Sequence, residues 1–290
     1  MFKGSIVAIV TPFKEGRVDE DSFRDLIEFQ IENGTSGIVP CGTTGESATL
    51  TVEEHGRVID ITVEAVKGRV PVIAGTGGNS TAEAIELTGH AKASGVDATL
   101  QVTPYYNKPT QEGLYQHFKA IAEAVSLPQI LYNIPGRTGV NMLPETIARL
   151  ADIPEVVAVK EASGSLAQMA EVVQLAGEKI TLLAGDDNVI LPVLSLGGKG
   201  VISVIANMVP GQTADIIRTW EEGDINRARD LFYGLLPLCR AMFYETNPIP
   251  VKTSLALMGK IKGEFRLPMT PMLPENLERL KKALSEFGLI

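Results

Sequence analysis

Val156-Val157-Ala158-Val159-Lys160-Glu161 decides how the chain is read, because an unbroken apolar run ends abruptly on a lysine and a glutamate. A valine-rich run without polar alternation belongs to a strand covered on both faces, as in an all-parallel sheet. Similar runs occur near Ser5–Val10, Gly37–Pro40, Val70–Ala74, Ala98–Val102, Gln129–Tyr132, Thr181–Ala184 and Gly200–Val204, which makes eight in all. Amphipathic segments of helical length separate them, such as Glu20–Asn33, Val52–Val66, Ala82–Ala93, Gln111–Ala124 and Ala167–Leu175. Successive runs begin about 25 to 33 residues apart, with a shorter last interval, which is the period of a right-handed βαβ unit. Eight such units predict an α/β fold of the TIM type, a closed (β/α)8 barrel. An open doubly wound sheet is the competing architecture.

Beyond the eighth run, about 85 residues hold no further convincing strand, only helical patterns near Ala214–Glu221, Ile225–Met242, Lys252–Leu257 and Pro274–Phe287. Residues 1–224 are therefore read as the catalytic barrel and 225–290 as a C-terminal helical segment. Pro248, Pro250, Pro268, Pro271 and Pro274 punctuate that segment without making it a disordered linker, so it is expected to pack on the barrel.

Composition narrows the function classes. Of the 290 residues, 44% are hydrophobic and 21% charged, an ordinary globular balance. A net charge of -9 and a pI near 5.0 give no electrostatic reason to bind nucleic acid or an anionic membrane. The start, Met1-Phe2-Lys3-Gly4, lacks the basic and apolar regions of a leader, and no stretch approaches the roughly 18 apolar residues of a membrane span. A cytoplasmic location is expected. Cys41 and Cys239 lie far apart, and His55, His90 and His117 are scattered, so neither a disulfide framework nor a metal site is expected, and no cofactor is called for.

Reactive groups of a barrel enzyme stand just after the strands, at their C-terminal ends. Lys160 is the sharpest of these, since it should point into the barrel mouth from a buried strand. Desolvation there lowers a lysine pKa by as much as about 3 to 5 units, which turns an ammonium into an amine nucleophile for a carbonyl and makes the resulting iminium an electron sink. A solvated strand-end lysine is the alternative. The turn Gly42-Thr43-Thr44-Gly45-Glu46 offers permissive glycines, two hydroxyls and clustered N–H groups that can hold a carboxylate, or it is an ordinary Gly-rich turn. Tyr132 ends the fifth run, where it serves as a proton relay or as a packed strand tyrosine. Tyr105 and Tyr106, in the loop after the fourth run, suit a binding loop or a subunit contact equally. Arg137, in Pro135-Gly136-Arg137-Thr138-Gly139, is placed to clamp a second carboxylate if it is not simply solvent-exposed. Gly75-Thr76-Gly77-Gly78-Asn79-Ser80 only begins like a dinucleotide loop, because Ser80 stands at the third glycine position. Asp186-Asp187 is read as a helix cap rather than a metal pair.

Taken together, Gly42–Glu46, Tyr105-Tyr106-Asn107, Tyr132–Gly139, Val159-Lys160-Glu161-Ala162, Gly185-Asp186-Asp187 and Asn247-Pro248-Ile249-Pro250-Val251-Lys252 closely resemble the 4-hydroxy-tetrahydrodipicolinate (dihydrodipicolinate) synthases, within the pyruvate-dependent Schiff-base lyases and aldolases. The resemblance runs nearly end to end. It implies that Lys160 binds pyruvate as a Schiff base whose enamine attacks L-aspartate 4-semialdehyde, a step of lysine and diaminopimelate synthesis. It further implies that Tyr132 exchanges protons through Thr43 with Tyr106 of a neighbouring subunit, that Thr44 and Ile202 contact pyruvate, and that Arg137 holds the semialdehyde carboxylate. Sugar-acid aldolases of the same barrel, acting on N-acetylneuraminate or 2-keto-3-deoxy acids, share the lysine and tyrosine and are the alternative, with Arg137 as the discriminator. The resemblance also implies a homotetramer, a dimer of dimers, with feedback by L-lysine at a site formed by Ser47, Ala48, His55, Asn79, Glu83 and Tyr105. Val52 departs from the lysine-sensitive pattern, which has a histidine there.

Overall fold

In the computed structural model, which describes residues 2–290, eight strands alternate with eight helices. The strands are β1 (Gly4–Ala8), β2 (Gly37–Val39), β3 (Ile73–Gly75), β4 (Ala98–Val102), β5 (Gln129–Asn133), β6 (Val156–Glu161), β7 (Thr181–Ala184) and β8 (Gly200–Ser203). The helices are α1 (Glu20–Glu32), α2 (Val52–Val66), α3 (Thr81–Ser94), α4 (Gln111–Ala124), α5 (Pro144–Leu150), α6 (Leu166–Ala176), α7 (Ile190–Ser195) and α8 (Pro210–Glu221). All neighbouring strands pair in parallel, β1 sits between β2 and β8, and the order then runs through β7, β6, β5 and β4 to β3. The seam between β2 and β3 is bridged at Ile38 and Val72, with the Ile38 N–H donating to the Pro71 carbonyl (3.0 Å) and the Gly75 N–H to the Pro40 carbonyl (2.9 Å). These bonds bring the sheet round into a nearly closed barrel and rule out the open doubly wound alternative.

The continuous apolar runs are explained by two cores. Ile6, Val39, Ile73, Leu100, Ile130, Ala158, Leu183 and Ile202 fill the barrel interior, while their chain neighbours Val7, Ile38, Leu131, Val159, Leu182 and Val201 face the helices. Because side chains alternate along a strand, Tyr132 and Lys160 share the inward parity of Ile130 and Ala158. The sequence pattern missed α5 and α7, which at seven and six residues are too short for a helical period to show. A small hairpin, Phe13–Lys14 with Arg17–Val18, was missed too.

The C-terminal segment forms α9 (Ile225–Ala241), α10 (Ile249–Leu257) and α11 (Pro274–Phe287). It packs against the barrel rather than extending from it: α9 lies along α8 and also meets α7, and α10 touches the turn Ile205–Asn207. Helix α10 is buried on most sides, including Ile249, Val251, Lys252, Ser254 and Leu255. No helix among the described residues is long and apolar enough to cross a membrane.

Candidate active site

Register brings two of the predicted site residues together. Tyr132 of β5 and Lys160 of β6 are directly opposed across the strand pair, and the Lys160 Nζ stands 4.2 Å from the centroid of the Tyr132 ring. Both side chains are about 95% buried. Lys160 has no ion-pair partner among the described residues, so burial presses its pKa down to about 8; Asp186 and then Asp187 oppose that shift, and Arg137 adds to it. At pH 7 roughly a tenth of such amines are free, against fewer than about one in a thousand for an ordinary lysine. Burial pushes the Tyr132 phenol upward, Asp186 adds to the rise, and Arg137 and a hydrogen bond with Thr43 oppose it.

The turn after β2 forms one wall of the cavity that Lys160 lines, through Gly42, Thr43 and Thr44. The Thr44 hydroxyl oxygen accepts from the Asn247 Nδ2 at 3.0 Å, so its own proton is free to donate elsewhere. Glu46 ends the turn in the left-handed region at φ 53° and forms a fully buried ion pair with Lys252 of α10. The C-terminal segment therefore contacts this turn twice, through Asn247, which also lines the cavity, and through Lys252, which does not. Sequence reading gave neither residue a role. The available signal was a lysine set among Ile249, Val251 and Leu255, where a solvated side chain is out of place.

Asp186 also lines the cavity, together with Gly185 and Asp187. This corrects the reading of Asp186-Asp187 as a local helix cap, since Asp186 makes no capping bond to the turn Asp187–Val189. Asp187 instead accepts the Val204 and Ile205 N–H groups at 3.0 and 2.9 Å, holding the end of β8 against that of β7. Burial raises Asp186 to about 6, with Lys160 opposing. A Cβ added at Gly185 would lie 2.6 Å from that of Ala162, so glycine is what allows this carboxylate so near β6. Among the described residues no His, Cys, Asp and Glu group is arranged to hold a metal ion.

Arg137 stands at the rim, in a short helical turn Pro135–Thr138, and one guanidinium nitrogen donates to the Asn247 carbonyl at 3.0 Å. It lines both the Lys160 cavity and a larger adjoining one of about 540 Å³. Ser47, Ala48, His55, Glu83 and Tyr105 line that second cavity. Asn79 does not line it, but its side-chain N–H donates to the Tyr105 carbonyl at 3.3 Å. Ile202 sits in the barrel interior and is not among the residues that line the Lys160 cavity, whose apolar side is formed by Ala8, Leu100, Ile134, Val204 and Phe243. Tyr106 is 89% exposed, holds a left-handed φ of 74°, and reaches neither cavity. Val52 is 61% exposed at the start of α2 and lines neither cavity.

A buried lysine that burial presses toward its neutral form, facing a phenol beside a small cavity at the mouth of a parallel α/β barrel, marks the chain as a barrel enzyme. Comparison with known proteins gives the family: residues 1–287 match the dihydrodipicolinate synthetase family, to which this chain belongs. The 4-hydroxy-tetrahydrodipicolinate synthase of Syntrophus aciditrophicus is 61% identical over 290 residues, with all of both chains covered. The dihydrodipicolinate synthase of Aquifex aeolicus superposes with a TM-score of 0.98 at 51% identity, covering 99% of each chain. The lysine-bound enzyme of Cyanidioschyzon merolae superposes with a TM-score of 0.97 at 44% identity, covering 100% of this chain and 99% of that one.

Proposed function

We propose that the protein is a 4-hydroxy-tetrahydrodipicolinate synthase, a lyase that joins pyruvate to L-aspartate 4-semialdehyde in lysine and diaminopimelate synthesis. The family and the full-length relatives support this activity over the sugar-acid aldolase reading. The observation that carries the mechanism is the buried Lys160 amine, unpaired and stacked over Tyr132. In this reading the free amine adds to the ketone of pyruvate, and loss of water gives the iminium. Loss of a methyl proton then gives an enamine whose carbon attacks the semialdehyde aldehyde. The substrate's own amine finally displaces Lys160 at the former ketone carbon, closing the ring and freeing the enzyme.

Thr44 and the neighbouring N–H groups hold the pyruvate carboxylate, since Asn247 occupies the Thr44 oxygen and leaves its proton to be donated. Arg137 clamps the second substrate's carboxylate at the rim, and Tyr132 moves protons through Thr43. Tyr106 completes the relay only from a neighbouring copy, in keeping with its exposure here, and the protein is read as a homotetramer. Ile202, at the barrel interior beneath the cavity, is read as a second pyruvate contact. The second cavity is read as the L-lysine feedback site, with Ser47, Ala48, His55, Asn79, Glu83 and Tyr105. Residues 1–224 form the catalytic barrel and 225–290 its appended helices, and the enzyme works in the cytoplasm without a cofactor.

Reduction with borohydride in the presence of pyruvate, followed by peptide mapping, tests the mechanism. The expected result is a single adduct on Lys160. An adduct on any other residue overturns it.

A further inference from the structure

Behind the reactive pair lies a second pair of the same register. Where Tyr132 faces Lys160 on the inside of the barrel, the next residues, Asn133 and Glu161, face each other on the outside, and both are completely buried. The Asn133 Nδ2 donates to both Glu161 carboxylate oxygens, at 3.3 Å to Oε1 and 3.0 Å to Oε2. The Ser163 N–H donates to Oε1 at 2.7 Å and the Gln168 Nε2 to Oε2 at 3.1 Å. The Asn133 Oδ1 accepts the Met142 N–H at 2.9 Å, and Asn141 joins the cluster by accepting from the Asn133 Nδ2 at 2.8 Å. This carboxylate has no cationic partner among the described residues; neutral donors alone hold it.

Such a cluster costs desolvation and does not add apolar burial, so its use lies in specificity. The β5–β6 pairing needs it: the register already shifts between Gln129 and Ile130, and a one-residue slip on either strand would turn the phenol or the amine out of the barrel. Every backbone bond of a parallel pair would accept such a slip, whereas the Asn133–Glu161 bonds would not. We infer that Asn133 and Glu161 are positioning residues, a buried polar clamp that fixes the β5–β6 register and thereby holds the Lys160 amine against the Tyr132 phenol. The inference rests on the proposed roles of Lys160 and Tyr132.

The test replaces Glu161 with glutamine, which keeps its volume but turns one acceptor into a donor facing donors. Glu161→Gln is expected to bind pyruvate with a KM within about threefold of the parent while kcat falls about tenfold or more, and to shift the limb of the kcat–pH profile that reports the amine. Reversing the pair in Asn133→Asp/Glu161→Gln lets donor face acceptor again once the Asn141 and Gln168 amides turn, and should recover about fivefold or more of the lost kcat. Folded Glu161→Gln enzyme with the parent's kcat and pH profile overturns the inference, as does a kcat loss that the reversed pair leaves unrestored. Should Glu161→Gln not fold, Gln168→Met takes its place as the test, because it loosens the clamp by removing one donor to Glu161 without setting donor against donor. There a kcat loss of about threefold with unchanged KM supports the clamp, and parent kinetics overturn it. Borohydride mapping on the parent separates the two levels: an adduct away from Lys160 removes the underlying mechanism, whereas an adduct on Lys160 with parent-like variants removes the clamp alone.

Discussion

Lys160 and Lys252 are both buried, at 5% and 0% exposure, yet they do opposite things. Lys252 lies at the junction of α10 and the turn after β2, paired with Glu46 and 4.2 Å from the Phe13 ring centroid. Lys160 lies at the barrel mouth over one aromatic ring, with carboxylates in its surroundings but none bonded to it. Burial favours the neutral amine in both, but only at Lys160 is that preference left to act beside a cavity. On the proposed mechanism, a reactive lysine needs three things, namely removal from water, absence of a bonded anion, and space for an electrophile. Lys252 has the first alone.

The largest effect should come from Lys160→Ala, which is expected to lower kcat by about 10³-fold or more and to abolish the borohydride-trapped adduct, while circular dichroism shows the fold intact. Lys252→Met should reverse that pattern. It leaves the Glu46 carboxylate buried without a partner, and denaturant titration should show a loss of about 3 to 5 kcal/mol, most of it restored in Glu46→Gln/Lys252→Met. Equal stability of the single and double variants would mean that the pair is not the anchor described. At the rim, Arg137→Ala should cut kcat/KM for the semialdehyde by about 30- to 100-fold and leave the rate of pyruvate trapping near the parent's.

The smallest effect separates the two lysines by pH. In the folded protein Lys160 titrates near 8, against an ordinary 10.5. Between those values the unfolded chain holds more protons than the folded one, so the folded state gains stability as pH rises through that window. Below pH 8 both forms are protonated, and the penalty for the buried charge is present in full. Subtracting the stability of Lys160→Met from that of the parent should therefore give a difference flat below about pH 8 and rising toward 10.5, and a flat difference throughout would show an amine of ordinary acidity. Activity in pyruvate trapping should climb with pH over the range just below 8 and level above it.

The barrel was legible because its strands are buried on both faces and so write themselves as unbroken apolar runs, as in Val156–Val159. Residues at strand ends, such as Lys160 and Tyr132, were legible for the same reason: their place in the fold follows from the run before them. Asp186 was misread because its surroundings come from other strands. A carboxylate followed by another looks like a cap until β6 brings Lys160 beside it. Asn247 and Lys252 were harder still, more than two hundred residues from the turn they complete, and α5 and α7 were too short to show a period. What pattern conveys is the direction of a side chain relative to its own element; what it withholds is which distant element stands opposite.

The two bonds from α10 and its approach, Asn247 to Thr44 and Lys252 to Glu46, also bear on how the enzyme comes into being. A chain emerging from the ribosome can thread all eight strands and wrap its first helices while the cradle beside Lys160 still lacks both its tethers. Competence then arrives only near the end of synthesis, and a product terminated before Asn247 is expected to be inert.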